Sequence, residues 1–519
     1  MSTAPLALRE DDPGMPSAPA PAPARRARLR VPAWLFPVTV SIAIVSWQLD
    51  FNADLPPPLG DSTMSASSGL LSDLRCFFYF YYHLGLFPVG AREVPRLGPT
   101  RQDALNFVAA HGRSLRMDFG QVQNTPRFGD YGKLFTLWPD AWLRGDPAHP
   151  SPRPFNQFLF ITSLLAVWWA FWRERRVLLG TLIVLFAGSN PFQLYETFTR
   201  PNIFSLPISV TLLALAAHLP WLTGRRALDG RAWAVALISA ILLATIREIR
   251  TEAVIVALAL PATYLVMRAP LTQRLLLIGA FVVAWAAIGH TWTWYWSRGF
   301  QRSAQYVSRA GGQVFTGRHG YNHALWHAVY CGLGDYGGDR GFAWDDRAAY
   351  RWATTRDAQT NPHPLPYHYK DGYYLEETYD GVNHIAPTDL PEYNRLVRDR
   401  VVSAIRSDPL WYARILIQRA GAILGGATPA ALSIGVARIG LSGVGWALIP
   451  IVLLLVLLQR SFELGLIAFT LPLSAVALLV YSGRGMANYG IAHLVAFAVV
   501  IDLLLRTRYA AFARRTHGA

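Results

Sequence analysis

Long apolar stretches alternate along this chain with short hinges rich in arginine, and the alternation is interrupted by two long polar segments. An apolar run near twenty residues crosses the roughly 30 Å hydrocarbon core of a bilayer as a helix. Such runs begin with Val31 to about Leu49 and recur at 156–172, 177–189, 202–222, 232–247, 252–268, 274–296, 441–458, 463–482 and 488–505. The pattern predicts an all-α polytopic membrane protein of about ten transmembrane helices. The third run is the shortest and so the easiest to miscount.

Counting from a cytoplasmic start, the hinges carrying Arg173, Arg175 and Arg176, then Arg225, Arg226 and Arg231, then Arg268 and Arg274, then Arg460, and finally Arg506, Arg508, Arg514 and Arg515 all fall on one side. Excess arginine in short loops marks the cytoplasmic face, so both termini are expected inside. Residues 1–31, rich in Pro and Ala and closed by Arg25, Arg26, Arg28 and Arg30, read as a disordered cytoplasmic tail. The first run lacks a small-residue cleavage site before Asp50 and reads as an uncleaved anchor. Segment 32–297 is then an N-terminal transmembrane module with a first external loop, 50–155; 298–440 is a large external loop; 441–519 holds the closing helices and a basic tail.

Both external loops are expected to carry helices lying on the membrane. CFFYFYYHLGLF at 76–87 is too short to span and too aromatic to be solvated, which suits the headgroup region. In the second loop, Asp389 and Pro391 open a helix that runs to Ser407, stops before Asp408-Pro409 and restarts as a surface helix or half-span from Trp411 to Gly425, with Trp411 and Tyr412 as interfacial anchors.

Composition agrees with a bilayer as solvent: 52% of residues are hydrophobic, 16% are charged, and the mean hydropathy is positive. The net charge of +15 resides in membrane-flanking arginines, with Lys133 and Lys370 the only lysines, which fits orienting charge and anionic lipid headgroups and not nucleic acid. Cys76 and Cys331 both fall on the external side, where a disulfide is permitted; two separate buried thiols are the alternative.

Several residues could carry chemistry. Asp50, Asp54 and Asp61 follow the first run at the external surface, where a carboxylate can act as general base toward a hydroxyl; as plain structure, Asp50 ends a helix and Asp61 caps one. TIREIRTEA places Arg247 and Arg250 on one helical face, a geometry suited to clamping a phosphate, with Glu248 and Glu252 available to pair with them instead. Tyr195, Glu196 and Arg200 stand at a similar junction. His323 and His327, four apart, share a helical face, but no third ligand is placed by local spacing, so substrate hydrogen bonding or packing is preferred to metal. Gly332, Gly334, Gly337 and Gly338 mark a tight turn, and Asp345-Asp346 reads as a helix cap. The aromatic residues from Tyr321 to Tyr379 suit stacking on sugar rings or on lipid headgroups. GK[ST] phosphate loops, HExxH, GxSxG and paired CxxC motifs are absent, which disfavours ATP-driven transport and zinc proteolysis.

The acidic first external loop (GDSTMSA at 60–66), the basic hinges and the large late loop followed by closing helices resemble the GT-C superfamily of integral-membrane glycosyltransferases. That resemblance implies transfer of a sugar from a polyprenyl-phosphate donor to a glycan, lipid or protein acceptor at the external face of a bacterial inner membrane. It implies Asp61 or Asp50 as the catalytic base, although the Asp-Glu pair common in that family is not present here. Arg247, Glu248, Arg250, Glu196, His323 and His327 are the expected substrate contacts. No cofactor is required and a divalent cation is compatible, because arginine can neutralise the leaving phosphate. The alternatives are a transporter or flippase of lipid-linked saccharide, disfavoured because few ionisable residues lie inside the runs, and an O-antigen polymerase or ligase.

Overall fold

The computed structural model describes residues 35–49, 67–91, 98–117, 131–191, 193–194, 206–223, 226–249, 254–267, 269–312, 314, 325–360, 367–370, 373–376, 384–385, 391–425, 432–434, 437–439, 443–472, 478 and 491–517. The described chain is predominantly helical. In order come α1 (Leu35–Leu49), α2 (Ser67–Leu84), α3 (Arg101–His111), α4 (Trp138–Arg144), α5 (Arg153–Arg173), α6 (Val177–Gly188), α7 (Leu206–Leu222), α8 (Gly230–Ile249) and α9 (Val254–Val266). They are followed by α10 (Leu271–Arg309), α11 (Leu325–Leu333), α12 (Asp346–Thr360), α13 (Pro391–Ser407), α14 (Pro409–Gly425), α15 (Leu448–Leu457), α16 (Ser461–Thr470) and α17 (Ile491–His517). The strands are short and antiparallel, the longest pairing being Tyr367–Lys370 with Tyr373–Glu376.

Among the described residues, three helices are able by length and composition to cross a membrane: α5, α8 and α10. The apolar helices α1, α6, α7, α9 and α16 are shorter, between 10 and 17 residues. Around them the surface is unlike that of a water-soluble protein. Leu258 is 69% exposed, Leu276 65%, Val283 68% and Leu457 80%, and apolar faces this continuous need a lipid or protein cover. Inside, α5 packs along α7 and α8 along α10, sharing one cluster that includes Phe160, Trp168, Ile183, Leu215, Leu260 and Val495.

The hinges show why the chain turns where it does. After α5 and after α15 the turn is the same: Arg175 (φ 57) and Gln459 (φ 51) take the left-handed conformation, and the next amide reaches back five residues, Arg176 N to Phe171 O and Arg460 N to Leu455 O, both at 2.9 Å. This closes the last free carbonyls of each helix. The two hinges also meet, for Arg176 Nη1 lies 3.6 Å from the buried Glu463 carboxylate and its guanidinium faces the Phe462 ring. They therefore occupy one end of the bundle. At the far end of α6, Gln48 Nε2 donates to Gly188 O at 3.1 Å, which puts the last turn of α1 at the opposite end.

Helix α10 departs from the expected 274–296. It runs 39 residues, about 58 Å at 1.5 Å per residue, and so continues well past a hydrocarbon core into the segment assigned to the large loop. Its last third builds a second hydrophobic cluster with α2, α3 and the 3-10 turn Tyr131–Leu137.

The aromatic run at 76–87 was expected at the headgroups; instead Phe78, Tyr79 and Phe80 are fully buried in that second cluster. Nothing local distinguishes a ring facing lipid from a ring facing protein, and the partners come from α10, over 200 residues away. A third cluster joins α11, α12, α13 and α14. Here the expected break holds: α13 ends at Ser407, and Asp408 caps α14 by accepting from the Trp411 amide at 2.9 Å. That amide, with Arg340 beside it, holds the Asp408 carboxyl below the usual range. Trp411, however, is no interfacial anchor, being buried against Phe342 with the Arg340 guanidinium over its ring. The glycine turn is as expected, and Gly334 is required there because a Cβ would overlap the backbone of Ala343. Cys76 and Cys331 are buried in different clusters and no disulfide joins them.

Candidate functional site

Where α10 leaves the bundle, its face turns aromatic: Trp292, Tyr295, Trp296 and Phe300 recur at spacings of three, one and four, placing them along one side of the helix. Helix α2 lies opposite. Between them is a cavity of about 370 Å³ lined by Tyr81, Gly85, Phe87, Trp138, Tyr295, Trp296, Gly299 and Arg302. The rings are mutually braced. Phe87 stands 4.9 Å from Trp296, Trp292 stacks on Trp296 at 5.9 Å, and the Tyr81 and Tyr295 hydroxyls share a hydrogen bond of 2.6 Å. The Phe87 amide donates to Ser303 Oγ at 2.7 Å, tying the loop after α2 to α10.

Behind Trp296 lies a buried charge. Glu248, at the end of α8, is 2% exposed; its Oε2 accepts from Trp296 Nε1 at 3.0 Å and its Oε1 from Arg247 Nη2 at 2.9 Å. Gly132 makes this possible, since a Cβ there would come within 2.9 Å of the Glu248 backbone and push the 3-10 turn off the helix end. Arg247 also packs against Gly289 and over the Trp285 ring. Of its two expected uses, its guanidinium is engaged in the charge pair with Glu248. Burial first, and then the bond to Tyr295, pushes the Tyr81 phenol far above its usual range, so it stays a neutral hydroxyl.

Among its described lining residues the cavity presents flat aromatic rings, the two phenols Tyr81 and Tyr295, and the guanidinium of Arg302. Its lining holds no carboxylate among the described residues.

Of the residues singled out in the sequence, Asp61, Asp50, Arg250, Glu196 and His323 lie outside the described residues. His327 is buried in α11, with Nε2 3.7 Å from Sγ of Cys331, a residue of the third cluster one turn on, and it does not line the cavity. Among the described residues no group of three His, Cys, Asp or Glu side chains is placed to hold a metal. Tyr81, Phe87, Tyr295 and Arg302 were not singled out. FYFYYH and WTWYWSR contain two of them, Tyr81 and Tyr295; the first reads as a headgroup segment and the second as the end of a membrane span. No known protein family, curated protein or solved structure matches this chain.

Proposed function

We propose that the protein is a membrane glycosyltransferase of the GT-C kind, moving a sugar from a polyprenyl-phosphate donor to an acceptor hydroxyl at the external face of a bacterial inner membrane. One observation carries this reading: an aromatic cavity of about 370 Å³ at the end of a bundle whose outer surface is apolar. The proposed fold has ten spans with two large external loops, 50–155 and 298–440. In the reaction Asp61, or else Asp50, takes the proton of the acceptor hydroxyl as its oxygen bonds to the anomeric carbon, and the bond from that carbon to the lipid phosphate breaks. Arginine stabilises the phosphate as it leaves. Glu248 holds Trp296, and through it the cavity wall, in place.

The direct test is turnover. Purified protein in vesicles containing a polyprenyl-phosphate sugar is expected to transfer the sugar to an added acceptor, followed by mass spectrometry. Passage of the lipid-linked sugar to the opposite leaflet with no transfer to any acceptor would replace this reading with the transporter.

The topology has its own test. Gly338 and Gly230 are exposed, and a Cβ at either meets nothing within 4 Å, so cysteine is tolerated at both. A membrane-impermeant maleimide added to intact cells is expected to label Gly338→Cys and to spare Gly230→Cys, which adjoins the hinge residue Arg231, until the membrane is opened. The native thiols are buried and contribute little background. Equal labelling of both in intact cells contradicts the ten-span arrangement.

A further inference from the structure

The cavity between α2 and α10 is graded from floor to mouth. Phe87 and Trp296, each 1% exposed, form its floor; the half-buried phenols of Tyr81 and Tyr295 stand above them; Trp138 and Arg302, both exposed, mark the open side. Gly299 is buried in the wall, yet a Cβ there would meet nothing within 4 Å, so the space beside it is empty. Arg302 follows Tyr295 by seven residues and Gly299 by three, which puts all three on one stripe of α10.

The wall selects the charge of its ligand. Among the described residues no ion pair, hydrogen bond or ring contact engages Arg302, whereas Arg298, one turn back, lies over the Trp294 ring at 4.2 Å. Tyr81 and Tyr295 share one hydrogen bond, which uses one hydroxyl proton and leaves the other for an acceptor in the cavity. The described lining offers no carboxylate to neutralise the guanidinium, whose charge reaches the Tyr81 phenol and which keeps its proton in any protein setting. The partner this wall lacks is a single negative charge. A volume of about 370 Å³ suits a small molecule and has room for a sugar ring with its substituents.

We infer that the cavity takes a saccharide bearing one negative charge, with its oxyanion held at the mouth by the Arg302 guanidinium and a phenol proton, and its ring in the empty space beside Gly299. The inference deepens the sugar-transfer reading and rests on it for the ligand being a saccharide. The oxyanion is either the carboxylate of a sugar acid or the phosphodiester that joins a sugar to its lipid, since both present two oxygens to a guanidinium fork.

The test is saturation-transfer NMR of the full-length protein in detergent. Methyl glucuronide and the methyl phosphodiester of glucose carry one charge, methyl glucoside carries none, and acetate and dimethyl phosphate carry the charge without the ring; galacto and manno forms of each glycoside are run alongside. At least one charged glycoside is expected to bind about tenfold or more tighter than its neutral counterpart, with saturation reaching its ring protons. Arg302→Gln should bring the charged glycoside down to the neutral level and leave the neutral one unchanged. Gly299→Leu fills the empty space with a good helix former, so it should melt no lower than the wild type and bind no glycoside. Should leucine lower the melting temperature, Gly299→Ala adds a single methyl to the same space and is expected to weaken binding with the fold intact. Stronger binding of the glucuronide type names a sugar acid, and of the phosphodiester type the lipid-linked sugar. The inference is overturned by absence of binding, by equal affinity for charged and neutral glycosides, by an unaltered preference in Arg302→Gln, or by undiminished binding in folded Gly299 variants. Competition by acetate or dimethyl phosphate as strong as by the glycosides overturns it too, because the ring would then contribute nothing. Sugar transfer is measured separately: charge-selective binding without turnover condemns the transferase reading and leaves the inference in place, whereas turnover without charge selectivity does the reverse.

Discussion

Asp61→Asn is expected to lower sugar transfer by about two to four powers of ten, the range for loss of a general base, while the protein still folds and binds donor. Asparagine keeps the size of the side chain and its ability to cap a helix, so a residue that only caps loses little by the exchange. Among the described residues the cavity lining holds no carboxylate, and Asp61 and Asp50 lie outside those residues. Gln48, two residues before Asp50, lies at the end of the bundle opposite the Arg176–Glu463 contact. If Asp61→Asn transfers sugar normally, the same comparison moves to Asp50→Asn. Full activity in both variants removes the early acids from the mechanism.

Trp296→Ala is expected to destabilise the protein by about 3–5 kcal/mol, the usual cost of emptying a buried Trp site. Trp296 is 1% exposed and packs against Phe87, Tyr131, Phe135 and Trp292, so the void cannot close by a single rotamer change. Truncation also removes the hydrogen bond from Trp296 Nε1 to Glu248 Oε2. Trp296→Phe separates the two effects: it keeps most of the packing, loses the hydrogen bond to a carboxylate, and should cost about 1.5–3 kcal/mol. Denaturation in detergent, followed by the remaining tryptophan fluorescence, gives both values. A Phe variant as stable as the wild type would mean that the bond to Glu248 contributes nothing, and Glu248 would lose its place in holding the cavity wall.

The cavity was legible only in fragments. TIREIRTEA pointed to Arg247 and Glu248, and both reach the site's outer layer, but as a pair with each other and not as a clamp for phosphate. The aromatic run at 76–87 pointed to a water–lipid boundary because amphipathic rings are common there, and that at 292–296 to the end of a span. In the fold they close a cavity, since α10 extends far enough beyond the bundle to meet α2. Arg302 gave no signal at all. One arginine in GFQRSA looks like any other, and its place at the cavity wall depends on α2 and α4 lying opposite.

What the sequence determined by itself is what local physics decides. Apolar runs become helices; the break at Ser407, Asp408 and Pro409 follows from proline geometry and an aspartate cap; the tight turn around Gly334 follows from a residue without a side chain. What only the tertiary structure decided is which of two equivalent environments each side chain meets. A phenylalanine is equally content in lipid or against another ring, and an arginine can face a headgroup or a carboxylate. Composition is blind to that choice, because the free energy of either outcome is set by residues such as Trp296 for Phe87 and Glu463 for Arg176, hundreds of positions away along the chain.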